Sequence, residues 1–176
     1  MKAIIIAAGT GRRISENIKQ TPKSLIQVNG KSIIEYQIDA LKKMNVEEIF
    51  VITGPYSEKF NIKNIEYVKD IEYENHDILG SLMQARKYFQ TDTIILYSDI
   101  IFESKIIEKI IKTKEDISIA IDMKWEEKYE GRTEHPKSEA ENVEVKNDTE
   151  IIRIKKNITD ANYRIGEFLG IMKFSM

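Results

Sequence analysis

The tightest constraint on this chain lies at its start. Ile4-Ile5-Ile6-Ala7-Ala8 is an unbroken apolar run that stops abruptly at Gly9. Strands buried on both faces read as continuous apolar runs rather than alternating ones, so this run predicts a central parallel strand. The residues beyond it are small, flexible and basic: Gly9-Thr10-Gly11-Arg12-Arg13 and, after a gap, Pro22-Lys23. Glycines let the backbone bend sharply and approach a ligand closely, because no Cβ intervenes. Successive N–H groups in such a loop form an anion-binding concavity. Arg13 and Lys23 add full positive charge beside it. A strand, a glycine loop and two cations suit a triphosphate; an ordinary strand-to-helix turn with surface cations is the plainer alternative. Two other phosphate loops do not fit. A dinucleotide fingerprint needs a third glycine where Ile14 stands, and the Gly-Lys-Ser/Thr of a Walker loop is absent.

Along the chain, strand-like and helix-like patterns alternate. Ile33, Ile34, Ile38 and Leu41 have helical spacing within Lys31 to Met44, and Ser32 with Glu35 three residues on suits a capping box. Glu48 to Thr53 is a second β-branched run, closed by Gly54-Pro55. A helix is predicted from Ser81 to Phe89 and a strand from Thr93 to Ser98, followed at once by Asp99. Ile106, Ile107, Ile110 and Ile111 read as a further helix, and Ile117 to Ile121 as a strand ending in Asp122. The polar stretch from Met123 to Ser138 reads as a lid or a loop. This alternation predicts a mostly parallel sheet in an α/β domain. In open α/β sheets ligands sit beyond the carboxyl ends of the strands. Gly9, Gly54, Asp99 and Asp122 all fall at such ends, and one crevice is expected to collect them.

The bulk numbers narrow the setting. The chain has 176 residues, 41% of them hydrophobic, which suits one domain with a real core. With 27 basic and 29 acidic residues the net charge is −2, so no nucleic-acid partner is expected. The absence of cysteine removes a disulfide framework and a thiolate zinc site. The opening apolar run is too short for a signal segment, and no stretch reaches the length of a membrane span. The expected setting is the cytoplasm, with no membrane partner.

Ala7-Ala8-Gly9-x-Gly11-x-Arg13, then Pro22-Lys23-x-Leu25, resembles the signature loop of the nucleotidyltransferases that activate sugar phosphates and alcohol phosphates. The resemblance implies a single Rossmann-like, GT-A-like three-layer domain over residues 1–176. In that family the glycine loop wraps the nucleotide, here through Ala8, Gly9 and Gly11, while Arg13 and Lys23 hold the phosphates. Tyr97-Ser98-Asp99 resembles the family's metal-binding aspartate. Magnesium prefers one or two carboxylates plus phosphate oxygens, so Asp99 is the expected Mg2+ ligand; a helix cap is its other reading. Arg13, Lys23 and Asp99 form the expected catalytic set.

Asp77-Ile78-Leu79-Gly80-Ser81-Leu82 resembles the Asn-x-x-x-Ser-Leu stretch of the phosphocholine and phosphonate cytidylyltransferase branch, which lies beside the pyrimidine. Asp77 stands where that branch carries asparagine, and an ionised aspartate only accepts hydrogen bonds. Helix capping is the rival role for Asp77. Gly54-Pro55-Tyr56 falls where the family approaches the base, so Gly54, Tyr56, Asp77 and Ser81 complete the expected nucleotide site. No role is assigned to His76.

The segment from Asp122 to Glu141, with Trp125, Tyr129, Gly131-Arg132 and His135-Pro136, is joined to this by Gly166-Glu167-Phe168-Leu169-Gly170. Together they resemble nucleotidyltransferase domains joined to, or encoded with, phosphoenolpyruvate mutase, enzymes that make phosphonates. Trp125 and Tyr129 suit a cationic amine, and Arg132 and His135 a phosphonate oxyanion; Asp122 and Glu167 are acids available to the amine. Core packing and surface ion pairs are the plain alternatives for these residues. Family members continue past the position of Met176 with another helix and a second metal-binding acid, so the chain reads as C-terminally shortened, or takes that acid from Asp122 or Glu167. The implied reaction is transfer of CMP from CTP to a small phosphonate such as 2-aminoethylphosphonate, with release of pyrophosphate. Phosphocholine and sugar 1-phosphates are the alternative acceptors. A non-catalytic nucleotide-binding module is the alternative from another class.

Overall fold

The computed structural model describes residues 1–9, 21–133 and 136–176. The fold is α/β with a mostly parallel central sheet, as the sequence predicts. Its contacts divide it into two compact units: Met1–Ser118 with Gly170–Met176, and Ile119–Leu169.

The first unit is built on β1 (Lys2–Ala7), whose residues 3 to 7 are all buried. β1 lies parallel to β4 (Glu48–Thr53) on one side and to β6 (Thr93–Tyr97) on the other, and β5 (Glu66–Lys69) extends the sheet beyond β4. The end of β10 (Arg164–Phe174) adds antiparallel to β6 through Ile171–Phe174. β2 (Gln27–Val28) and β3 (Lys31–Ser32) form a separate small hairpin. α1 (Ile33–Lys42) starts at the expected capping box: Glu35 accepts from Ser32 N–H at 2.9 Å and from the Ser32 hydroxyl at 2.5 Å.

The β1–α1–β4 and β5–α2–β6 crossovers run in opposite directions across the sheet. Right-handed crossovers therefore put α1 and α2 (Ile78–Gln84) on opposite faces, which gives three layers. Ile4, Ile6 and Ala8 pack with Phe50, Ile52 and Ile95 against Leu82 and Ala85, while Ala3 and Ile5, at 0% exposure, fill the other face. α3 (Ser104–Ile111) touches α1 and buries Ile107 and Ile110.

The predicted helix Ser81 to Phe89 is corrected in both bounds. Asp77 accepts from the N–H groups of Leu79 and Gly80 and starts α2 at Ile78, and after Gln84 the chain tightens into a 3₁₀ turn at Arg86–Tyr88. Capping by the Asp77 side chain satisfies the first free N–H groups and so sets the earlier start.

The second unit contains the end of β7 (Ile117–Asp122), the antiparallel pair β8 (Glu141–Lys146) and β9 (Glu150–Lys156), and the first half of β10 paired to β8. Asn147 and Asp148, at φ 52° and 60°, make the tight turn of the β8–β9 hairpin. The stretch expected as a lid or loop contains two 3₁₀ turns, Trp125–Tyr129 and Lys137–Glu139. Trp125 and Tyr129 are buried with Ala140, and Ile165 packs on them. Among the described residues no helix is long and apolar enough to cross a membrane.

Candidate active site

In the first unit a cleft of about 450 Å³ opens where β1 and β6 end. Ala8 and Gly9 after β1, Ser98 and Asp99 after the neighbouring β6, and Asp77 and Ser81 at the start of α2 line it. Lys23, in a 3₁₀ turn at Lys23–Leu25 that follows Pro22, reaches across so that its Nζ donates to Asp99 Oδ2 at 2.6 Å. Both partners remain open to water, at 47% and 40% side-chain exposure, so an incoming anion and cation can divide the pair between them. Asp99 is not the cap of the helix that follows it: α3 has Glu103 at its N-cap. The turn that carries Asp99 is held from below by buried Gln37 of α1, whose amide nitrogen donates to the carbonyls of Tyr97 and Ile100 at 2.8 Å each.

Six of the expected nucleotide and metal residues thus meet in one cleft: Ala8, Gly9, Lys23, Asp77, Ser81 and Asp99. Asp77 lines the cleft and caps α2 at once, so both of its expected roles bear on one side chain. Gly54 and Tyr56 are placed otherwise. Gly54 is buried against the end of β1, where a Cβ would come within 2.4 Å of Ala8 O; glycine is needed there for close packing. Tyr56 is left-handed, at φ 59°, with Lys59 Nζ 4.8 Å from its ring centroid. Gly11, Arg13 and His135 lie outside the described residues.

Sequence reasoning missed a buried acid behind two of the lining residues, Ser81 and His76. Asp70 follows β5 directly, is 0% exposed, and joins Ser81 to His76. The signal was present, an acid closing a short strand, but Glu66-Tyr67-Val68-Lys69 carries too many charges to read as one.

The residues expected for the acceptor belong to the second unit. Trp125 is 3% exposed, donates its indole N–H to Ile165 O at 3.2 Å, and meets Tyr129 edge-on with centroids 5.6 Å apart. Lys137 Nζ lies 5.2 Å from the centroid of the Trp125 ring. Tyr129 donates to Glu167, and burial, then that hydrogen bond, push its hydroxyl up to about 12. Arg132 is exposed and stacks its guanidinium 4.6 Å from the Tyr129 centroid. Asp122 pairs with Lys128 and accepts from Lys124 N–H at 2.9 Å. Burial raises the Asp122 carboxyl, but these hydrogen bonds outweigh it and hold the group below the usual carboxylate range. Trp125, Tyr129, Arg132 and Glu167 thus form one connected cluster.

Among the described residues no group of three or more acids or histidines is arranged to hold a metal. Of the described exposed carboxylates that line the cleft, Asp99 closes β6, and Glu74 and Asp77 form no metal-holding group with it. That suits a magnesium ion carried largely by a triphosphate and suits a self-sufficient protein cage poorly.

A mostly parallel sheet with a glycine-bearing strand end, a lysine and a strand-end carboxylate in one cleft is the arrangement of a ligand-binding α/β protein. The family model of the MobA-like NTP transferase domain matches residues 3–136, and the chain belongs to that family. It is similar to the CTP:phosphoglutamine cytidylyltransferase of Campylobacter jejuni, with 29% identity over 99% of this chain and 73% of the relative. It is also similar to the choline-phosphate cytidylyltransferase of Streptococcus pneumoniae, with 34% identity over 59% of this chain and 47% of that protein. The chain thus spans less than half the length of the second relative. The inositol-1-phosphate CTP transferase of T. maritima shares the fold, with a TM-score of 0.75 at 16% identity over 99% of this chain and 70% of that one.

Proposed function

We propose that the chain is a cytidylyltransferase, moving CMP from CTP to a small phosphate or phosphonate that carries an amino or ammonium group, with 2-aminoethylphosphonate the favoured member. The observation that carries this reading is the Lys23–Asp99 pair lining one cleft with Gly9, in a chain of the NTP transferase family. An oxygen of the acceptor attacks the α-phosphorus of CTP. The bond from that phosphorus to the bridging oxygen breaks, and pyrophosphate leaves with the electron pair. The attacking oxygen is already anionic, so no general base is required. The work of the protein is positioning and charge stabilisation. Lys23 supplies positive charge to the phosphates, with Arg13 proposed beside it. Asp99 would hold magnesium, which neutralises phosphate charge when bound. Gln37 keeps Asp99 at the cleft mouth.

The acceptor class draws on the relatives, one acting by name on phosphoglutamine and one on choline phosphate, and on the later motifs that resemble the phosphonate branch. Arg132 is the exposed cation proposed for the acceptor's oxyanion. The test is pyrophosphate release with each nucleoside triphosphate against a panel of 2-aminoethylphosphonate, phosphocholine and sugar 1-phosphates. CTP with an amine-bearing acceptor is expected to give the highest kcat/KM. A purine triphosphate preference would reject the reading, and phosphocholine outrunning every phosphonate would move the acceptor while leaving the reaction.

A further inference from the structure

The Asp77–Ser81 stretch is expected beside the pyrimidine of CTP, the nucleotide of the proposed function, and the role inferred for the residue beneath the Ser81 hydroxyl, Asp70, rests on that reading. The Asp70 backbone N–H donates to Thr53 O at 2.8 Å, tying it to the end of β4. Oδ1 accepts from Glu72 N–H at 3.1 Å and faces His76 Nε2 at 3.2 Å, and Oδ2 accepts from the Ser81 hydroxyl at 2.7 Å. With a backbone amide, an imidazole and a hydroxyl converging on it, the buried carboxylate is an acceptor on every side. His76 is wedged between Asp70 and the first turn of α2, its Nδ1 3.1 Å from Asp77 O. There is room for its ring only because residue 80 is glycine: a Cβ there would lie 2.4 Å from the ring's Cγ. The wedge fixes the separation at which Ser81 meets Asp70.

A hydroxyl has one proton and two lone pairs. The Ser81 proton is held by Asp70, so toward the cleft, which Ser81 lines, the oxygen can only accept. Cytosine carries an amino donor at C4, whereas uracil carries a carbonyl acceptor at the same position. An acceptor-only oxygen pairs with the first and leaves the second facing a lone pair, which costs an unmade hydrogen bond. We propose that Asp70 is a specificity-determining positioning residue: by holding the Ser81 hydroxyl as an acceptor, it makes the cleft select a pyrimidine with an exocyclic amino group.

The substitution D70N inverts this polarity. Glu72 N–H must still meet an oxygen, which orients the amide so that its nitrogen faces Ser81. The hydroxyl then accepts from Asn and turns its proton to the cleft. The experiment measures kcat and KM of wild type, D70N and S81A with CTP, UTP and the triphosphate of a pyrimidinone that lacks the 4-amino group. Wild type is expected to favour CTP over both others. D70N is expected to lower the CTP:UTP ratio of kcat/KM by about tenfold or more, mainly through KM, and S81A to lower the CTP preference over the pyrimidinone. Should D70N fail to fold by circular dichroism, S81A still tests the proposal: a CTP preference over the pyrimidinone that S81A leaves unchanged overturns the role of Asp70, which acts through that hydroxyl. A wild type that prefers CTP with unchanged ratios in the folded variants overturns the role of Asp70 and leaves the cytidylyltransferase reading standing. A wild type indifferent to the 4-amino group overturns the role of Asp70, and one that transfers no pyrimidine nucleotide overturns both.

Discussion

Asp70 in the first unit and Glu144 in the second are both closed off from water, at 0% and 2% exposure, yet they keep different company. Glu144 accepts from Arg153 Nε at 2.6 Å and from the backbone N–H groups of Asn162 and Tyr163 at 2.7 and 3.0 Å. Arg153 in turn reaches Asp160 at 2.8 Å. Every partner is framework, and the carboxylate ties β8 to β9 and to the approach to β10. Among the described residues Asp70 meets one framework donor, Glu72 N–H; its other side-chain partners, Ser81 and His76, line the cleft. Burial alone therefore does not separate a structural acid from a functional one. The partners do: a guanidinium and two amides lock a hairpin, whereas a hydroxyl and an imidazole pass the influence of the acid on to a ligand.

Perturbing the cleft should remove activity while sparing the fold, and perturbing the framework should do the reverse. The largest effect is expected from Asp99→Asn, which keeps the shape and removes the charge proposed for magnesium. Loss of about 10²-fold in kcat/KM under limiting magnesium is expected, with an unchanged melting temperature; full activity would remove Asp99 from the metal site. Lys23→Ala should follow. It deletes a charge-assisted contact worth about 1.5–3 kcal/mol, or roughly 10- to 200-fold in kcat/KM for CTP, read by pyrophosphate release. Gly54→Ala tests the packing beneath the cleft. The added Cβ meets Ala8 O, and a urea melt should show about 1–3 kcal/mol lost.

Glu144→Gln tests the framework through pH. Burial raises the Glu144 carboxyl, but the hydrogen bonds from Asn162, Arg153 and Tyr163 prevail and hold it below the usual range. A carboxyl depressed in the folded state contributes stability above its ordinary value, about pH 4.3, and that contribution fades as pH falls through the folded value. The stability gap between wild type and Glu144→Gln should be open at pH 7 and close under acid. A gap that stays constant down to pH 3 would show that Glu144 acts through shape instead of charge. The smallest effect belongs to Arg132→Ala, where an exposed cation–π contact contributes about 0.5–1 kcal/mol; its expected mark is a higher KM for the acceptor with CTP unaffected.

What the residues determined on their own was whatever is encoded locally. The apolar run before Gly9, the Ser32–Glu35 box and the acid directly after Leu96-Tyr97-Ser98 are short-range signals, and the structure has β1, the α1 cap and a cleft-lining Asp99 where they fall. The strand β5 and the β8–β9 hairpin were illegible, because Glu66-Tyr67-Val68-Lys69 and Glu150-Ile151-Ile152-Arg153 mix charge into strands that lie at a sheet edge and need no continuous apolar run. Tertiary structure alone decided which polar residues meet. Lys23 and Asp99 are 76 positions apart, and Ser81 reaches Asp70 across 11. No periodicity specifies such pairs; they follow from how the strand ends that carry Asp99 and Asp70 meet the 3₁₀ turn of Lys23 and the helix of Ser81. The same is true of Trp125 and Tyr129, whose aromatic character is plain in the sequence. That Trp125 donates to a β10 carbonyl and Tyr129 to Glu167 is set by the fold of the second unit, because a buried N–H or O–H must find an acceptor and the nearest one lies about 40 residues away along the chain.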